Sequence, residues 1–389
     1  MAPCPFVAQV FGPMKLERFE LERNQSEWEH HVDYNLSESG VEPLHIRDLL
    51  DTKELKDQLL DMQLGYSQTN GTVPLRQAIS YHYPGTTHEH ILATTGGAEG
   101  NFVVTWWLRH ENPDRDELVF LVPNYMQIGG IWKNLGGKLI PFKLEMVDGE
   151  WVPDLEGLRA KVSEKTAAIA ICTPNNPTGK LLSEEDLKTI VDVAAEHGAW
   201  VVSDEIYRGA ELRGDKAPSA HGLYDKVLVT SSLSKAYGLP GLRLGWVVCP
   251  SPEVAHELWT YTDYTTICPA KTSDWLATLA LQPDVQTKIE KRTRKVVSEN
   301  WAILEKWIDS HSDLMSATAP EAAAICFIKM KDGIDTADFT MRLKEEKSVL
   351  IPPGEHFEMP GFIRIGFGSE KEYLEPALER ISELLDAYR

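Results

Sequence analysis

The sequence predicts an α/β protein: a large domain built on a mostly parallel sheet, with a smaller α+β domain beside it. Two observations carry this. From about Gly65 to about Pro269, short apolar β-type runs alternate with amphipathic helical stretches, the pattern of a sheet covered on both faces. After about Leu281 the order becomes helix, strand, helix, strand, strand, helix. The expected division is 63–280 for the large domain. Residues 14–62 and 281–389 are expected to form the small one, the N-terminal segment packing with the C-terminal part.

The strands expected in the large domain are Leu118–Val122, Leu139–Phe142, Ala167–Cys172, Trp200–Ser203, Val227–Thr230 and Leu244–Val248. Most are β-branched and apolar throughout rather than alternating, as buried parallel strands are. Phe102–Arg109 and Ser183–His197 read as helices. The second opens Ser-Glu-Glu-Asp, placing acids at the positive end of the helix dipole, and Gly198 supplies its stop. In the small domain, Ala323–Lys329, Val349–Ile351 and Phe362–Phe367 read as strands.

Composition narrows the function. A chain of 389 residues can bury a substantial core, and 42% hydrophobic with 25% charged residues is a soluble globular balance. The net charge of −20 argues against nucleic acid or an anionic membrane surface as partner, because both demand clustered Lys and Arg. Cys4, Cys172, Cys249, Cys268 and Cys326 are scattered and lack CxxC spacing. That argues against a zinc or other metal site and against a disulfide framework, and points to a reducing cytoplasm. No stretch approaches the ~18 apolar residues that span a bilayer. Residues 1–13 lack the basic start and apolar centre of a signal peptide and read as a variable leader before Met14.

The chemistry-bearing residues sit where such strands end. Ser231-Ser-Leu-Ser-Lys-Ala-Tyr-Gly-Leu-Pro-Gly-Leu-Arg243 sets Lys235 between an apolar strand and a glycine-rich turn. A lysine carried into a cleft this way can form an imine with an aldehyde cofactor, while Ser232, Ser234 and Arg243 could hold that cofactor's phosphate. Thr94-Thr-Gly-Gly-Ala98 leads into the Phe102–Arg109 helix, and backbone N–H groups at a helix start can cradle a phosphate. Tyr125, Asn176 and Asp204 each follow a strand, and ligands sit at the carboxyl ends of parallel strands. Asp204 there is costly unless paired, although capping the next helix is the ordinary alternative. Arg364 lies inside the apolar run Phe362-Ile-Arg-Ile-Gly-Phe367 and demands a partner: either a ligand carboxylate or a structural acid.

Together these motifs resemble the fold-type I, class I/II aminotransferases, which bind pyridoxal 5′-phosphate (PLP). Seven motifs in the family's order run from about residue 33 to 368. The resemblance implies an internal aldimine at Lys235, with the main chain of Gly97 and Ala98 on the phosphate and Tyr125 stacked on the ring. It implies Asn176 and Tyr207 on the phenolic oxygen and Asp204 paired with the ring nitrogen. Lys235, Asp204 and Tyr207 are then the catalytic residues. Tyr66, in Leu64-Gly-Tyr-Ser-Gln-Thr-Asn-Gly71, matches a tyrosine that reaches the phosphate of a partner subunit, which implies a homodimer with shared sites. Arg364 would take the substrate's α-carboxylate, and Asn35-Leu-Ser-Glu-Ser-Gly-Val41 would close over it, with Gly40 offering backbone contact.

The implied reaction moves an amino group between an α-amino acid and a 2-keto acid, the freed lysine amine removing the α-proton. A local likeness to PLP-dependent cyclases of the capreomycidine synthase kind, in Leu233–Arg243 and Ser39–Val41, offers an alternative: ring closure or elimination on an arginine derivative. Glu38, or Glu99 from the phosphate loop, could then complement a guanidinium. No arginine occurs in Tyr261–Pro269, where dicarboxylate-specific relatives carry one, which argues against aspartate. Transcription regulators with an aminotransferase-like domain are a further class, but residues 1–60 carry no basic stripe and too little length for a DNA reader.

Overall fold

A computed structural model describes residues 16–389. The leader reading of 1–13, and Cys4, lie outside the described residues. The strands run in chain order: β1 (Tyr34–Asn35), β2 (Ile91–Thr94), β3 (Glu117–Val122), β4 (Lys138–Val147), β5 (Glu150–Pro153), β6 (Thr166–Cys172) and β7 (Trp200–Asp204). β8 (Val227–Ser232), β9 (Gly245–Val248), β10 (Met315–Ala317), β11 (Ile325–Met330), β12 (Val349–Leu350) and β13 (Phe362–Gly366) complete them.

Eight strands form the main sheet in the order β2-β9-β8-β7-β6-β3-β4-β5. β8, β7, β6, β3 and β4 are mutually parallel, while β9 and β5 run antiparallel to their neighbours. The fold class is therefore the α/β arrangement expected, and all six expected strands are present. Two were not anticipated: β2 is a four-residue run and β5 alternates buried and exposed positions at the sheet edge. Both are too short to stand out from their neighbours by periodicity.

The continuous apolar pattern has a simple cause. Val119, Leu121, Ile169, Ile171, Val201 and Val229 enter one core cluster, whereas Leu118, Phe120, Ala168, Ala170, Val202 and Leu228 enter another. Successive side chains point to opposite faces of a strand, so a sheet covered on both sides needs apolar residues at every position. Helix Glu184–Glu196 begins as read, Ser183 and Asp186 forming a reciprocal capping box, and Gly198 follows at φ +62°. The helix after β2 starts earlier than expected, at Gly96, so that Gly96 and Gly97 lie within its first turn.

A third cluster gathers Val297, Leu304, Cys326, Ile328, Ile363, Ile365 and Leu378, and Leu36 and Val41 join it. β10, β11 and β13 form an antiparallel sheet, and β1 pairs in parallel with β12. The chain from Leu36 to Val41 runs against Gly366 and Gly368, where an added Cβ would come within 1.9 Å of Glu38 O and 2.0 Å of Gly40 O. Only glycine permits that approach. No helix among the described residues is long and apolar enough to cross a membrane.

Candidate active site

Because β3, β6, β7 and β8 are parallel, the segments that follow them emerge on one edge of the sheet. They are Pro123–Tyr125, Thr173–Gly179, Glu205–Tyr207 and Leu233–Lys235. A cavity of about 320 Å³ opens there, lined by Gly97, Ala98, Tyr125, Asn176, Asp204, Tyr207, Ser234, Lys235, Arg243 and Arg364. Residues spread over more than 260 positions of sequence thus converge on one space.

Asp204 ends β7, with Thr230 and Cys172 as its register partners on the flanking strands. Its carboxylate accepts hydrogen bonds from Asn101 Nδ2 (3.0 Å) and Ile206 N–H (3.1 Å), and Asn101 is held in turn by Thr230 Oγ1 (2.7 Å). Among the described residues no cation is paired with it. Burial raises its pKa, opposed by the Asn101 hydrogen bond. The bond to Ile206 N–H closes a turn and no helix begins there, so the helix-cap alternative does not hold for Asp204.

Lys235 reaches Glu38 Oε2 at 3.4 Å across the cavity mouth. That ammonium holds the Glu38 carboxyl below its ordinary range despite desolvation. Gly40 lies beneath: an added Cβ would stand 3.3 Å from Ser234 O and 3.6 Å from Lys235 Cδ. Arg243, in the left-handed region at φ +47°, sets its guanidinium against Gly96, where a Cβ would lie 2.6 Å from NH2. It donates to Ser234 Oγ at 3.4 Å, beside the first turn of the Gly96 helix.

Arg364 is 1% exposed, yet no carboxylate is ion-paired with it among the described residues. NH1 donates to Asn176 Oδ1 at 2.9 Å, NH2 donates to Ser37 O, and Nε has no partner. The structural-acid alternative for this arginine therefore falls away. Tyr207 donates to Ser39 Oγ (2.8 Å), and burial pushes its phenol upward.

Some expectations land elsewhere. Ser232 is fully buried and not among the cavity-lining residues, but its Cβ lies 3.6 Å from where a Cβ on Gly97 would stand, and its Oγ accepts from Ser234 N–H at 3.1 Å. Glu99 is consumed by Thr95, Thr265 and Thr266, which donate four hydrogen bonds to it, and it does not line the cavity. Tyr66 is 89% exposed and away from this chain's cavity.

Sequence reading missed one whole wall. Helix Glu20–Trp28 lies over the cavity, presenting Leu21, Glu22, Gln25 and Ser26, with Glu29 just beyond its end. Glu22 Oε1 accepts the Tyr125 hydroxyl at 2.7 Å, and Phe19 meets the Tyr125 ring edge-on at 4.9 Å. Gln25 Nε2 ties the helix to Ser37 O (2.9 Å) and Ser37 Oγ (3.0 Å). The available signal was the spacing Glu22, Gln25, Ser26, Glu29, one polar face of a helix. Asn101 and Gln127 also went unread, because neither carries a pattern of its own.

The sequence matches the family described as "Aminotransferase class I and II" over residues 51–381. The chain is similar to a PLP-dependent aminotransferase of Streptococcus suis, 34% identical, covering 96% of this chain and 99% of that one with a TM-score of 0.89. It is 29% identical over 387 residues to capreomycidine synthase of Streptomyces vinaceus, 97% of this chain and 96% of that one. The structure of the PLP-dependent cyclase OrfR, 26% identical, matches with a TM-score of 0.85 over 98% of this chain and all of the other.

Proposed function

Since this chain belongs to the class I and II aminotransferases, PLP-dependent enzymes of fold type I, we propose that it moves an amino group between an α-amino acid and a 2-keto acid, with Lys235 as the covalent anchor. One observation carries the reading: the Lys235 ammonium lines one cavity together with the Asp204 carboxylate and the Arg364 guanidinium, neither of them ion-paired among the described residues.

The residues fit the cofactor. A buried carboxylate without a cation is costly, by roughly several kcal/mol, and a protonated ring nitrogen removes that cost. The first turn of the Gly96–Glu111 helix, with Arg243 and Ser234 beside it, suits a phosphate. When bound, PLP supplies an aldehyde that condenses with amines and a ring that draws electrons from the adjacent α-carbon.

The chain's own groups do the rest. Arg364 receives the α-carboxylate through its fork, which orients the α-carbon toward Lys235 Nζ. Nζ would then take the α-proton and carry it away from the α-carbon to the cofactor side, which leaves the α-carbon at the keto-acid level. Tyr207 and Asn176 donate to the ring's phenolic oxygen, Tyr207 giving up Ser39 for it. Tyr125 packs on the ring, braced by Phe19 and Glu22. Tyr66 reaches a second copy of the chain, whose cavity it completes.

Borohydride reduction of the PLP-loaded protein followed by peptide mapping should label Lys235. Lys235→Ala should lose the label and about 10²–10⁴-fold of amino transfer. A label retained on another lysine overturns the assignment. A second reading is ring closure without net amino transfer, favoured by the full-length likeness to two cyclases. Mixing the loaded enzyme with single amino acids separates the two. Pyridoxamine phosphate with released keto acid supports transfer; a cyclic product with PLP retained supports closure.

A further inference from the structure

The cavity carries more carboxylates than the proposed chemistry uses. Its walls hold three cations, Lys235, Arg243 and Arg364, against four carboxylates, Asp204, Glu22, Glu29 and Glu38. In the reading above, which this inference rests on, each cation is spoken for. Arg243 meets the phosphate, Arg364 the α-carboxylate, and Lys235 gives up its ammonium to the covalent link. Asp204 is matched by the ring nitrogen. Glu22, Glu29 and Glu38 are left over.

Among the described residues, the three make no ion pair with a cation that stays free once the site is loaded, although Glu22 and Glu38 lie in the field of Arg364, which the α-carboxylate would neutralise. Glu22 accepts only the neutral Tyr125 hydroxyl, at 2.7 Å. Glu29 lies 3.4 Å from His30, whose side chain is 85% exposed. Glu38 loses its partner when Lys235 becomes the anchor, since 3.4 Å to that ammonium is its one ion pair. A second, independent feature says what ligand spans the space. Arg364 is 1% exposed and its Nε is unpartnered, so one end of the ligand is an anion. With that end fixed and the α-carbon near Lys235, the charged part of the remaining lining is the helix face carrying Glu22 and Glu29, with Gln25 and Ser26 between them and Leu21 beside them.

A side chain ending in a carboxylate would meet like charge there. An aliphatic one would strip water from carboxylates and offer nothing in return. We propose that the site takes an α-amino acid whose side chain ends in a cation, an ammonium or a guanidinium, held between Glu22 and Glu38 with Glu29 at the rim.

The test uses PLP-loaded enzyme in which the Lys235 adduct has first been verified. Arginine, ornithine, citrulline, norleucine and aspartate are titrated separately, and the saturation of the absorbance change is read. Arginine or ornithine should saturate at a concentration lower than citrulline and norleucine by about tenfold or more. The better of arginine and ornithine identifies the cation. Glu22→Gln should shrink the arginine-to-citrulline ratio about threefold or more, and Glu38→Gln is the second variant should the first fold poorly. Equal saturation by arginine and citrulline, or a preference for aspartate, overturns the proposal while leaving the amino-transfer reading intact. Absence of an adduct at Lys235 overturns that reading and this one with it.

Discussion

At the scale of single residues, the site is defined by groups whose partners are missing. Arg364 is enclosed among β-strand neighbours with a spare Nε–H, and Phe357 lies 5.2 Å beneath its guanidinium carbon. A planar fork in that position suits a carboxylate in a way a lysine ammonium does not. We expect Arg364→Lys to raise the half-saturating amino acid concentration about 30-fold or more. That follows from the ~2–5 kcal/mol lost when one member of a buried charge pair is truncated. Steady-state kinetics with the preferred donor checks it, and an unchanged KM removes Arg364 from substrate binding. That Arg364 needed a partner was legible in its apolar run. That no carboxylate among the described residues pairs with it was not, because an ion pair with a distant acid leaves no trace in local sequence.

Among the elements, legibility followed length and end signals. Helix Glu184–Glu196 was readable to within a residue because its capping box and terminal glycine are local chemistry. Ser183→Ala, removing the cap, should cost about 1 kcal/mol of stability with amino transfer unchanged. Denaturant unfolding and a steady-state assay measure the two together, and a large activity loss would tie the helix to the site. The N-terminal helix Glu20–Trp28 shows the opposite case. Its 9 residues include only two apolar side chains, Leu21 and Trp28, and its Phe19 N-cap position makes no side-chain capping bond. Tertiary contacts hold it instead: Gln25 to Ser37, and the Lys344 ammonium 4.1 Å from the Trp28 ring centre.

For the molecule as a whole, buried titratable groups set opposing pH dependences. His82 and His356 are pushed down to about 4, mainly by desolvation. Below about 6.5 the unfolded chain binds those protons first, so stability falls as pH drops from 6.5 through about 4. Glu205 is pushed up to about 7 by burial, its Oε1 bonded to Ser203, Ser219 and Ala220 while Oε2 has no partner. Its contribution is full below about 4.5 and is lost as pH rises through about 7. Glu205→Gln should therefore gain roughly 3 kcal/mol over wild type between pH 4.5 and pH 8, read as the change in their difference by calorimetry. A pH-independent difference would remove Glu205 from the alkaline loss. The architecture and the cofactor motifs were already present in the linear chain, because each motif is bound to a strand end and parallel strands deliver those ends to one edge. Folding alone brought Glu22 to Tyr125 across 103 positions and Lys235 to Glu38 across 197. Contacts that far apart are set by how layers pack, and neither periodicity nor capping encodes them.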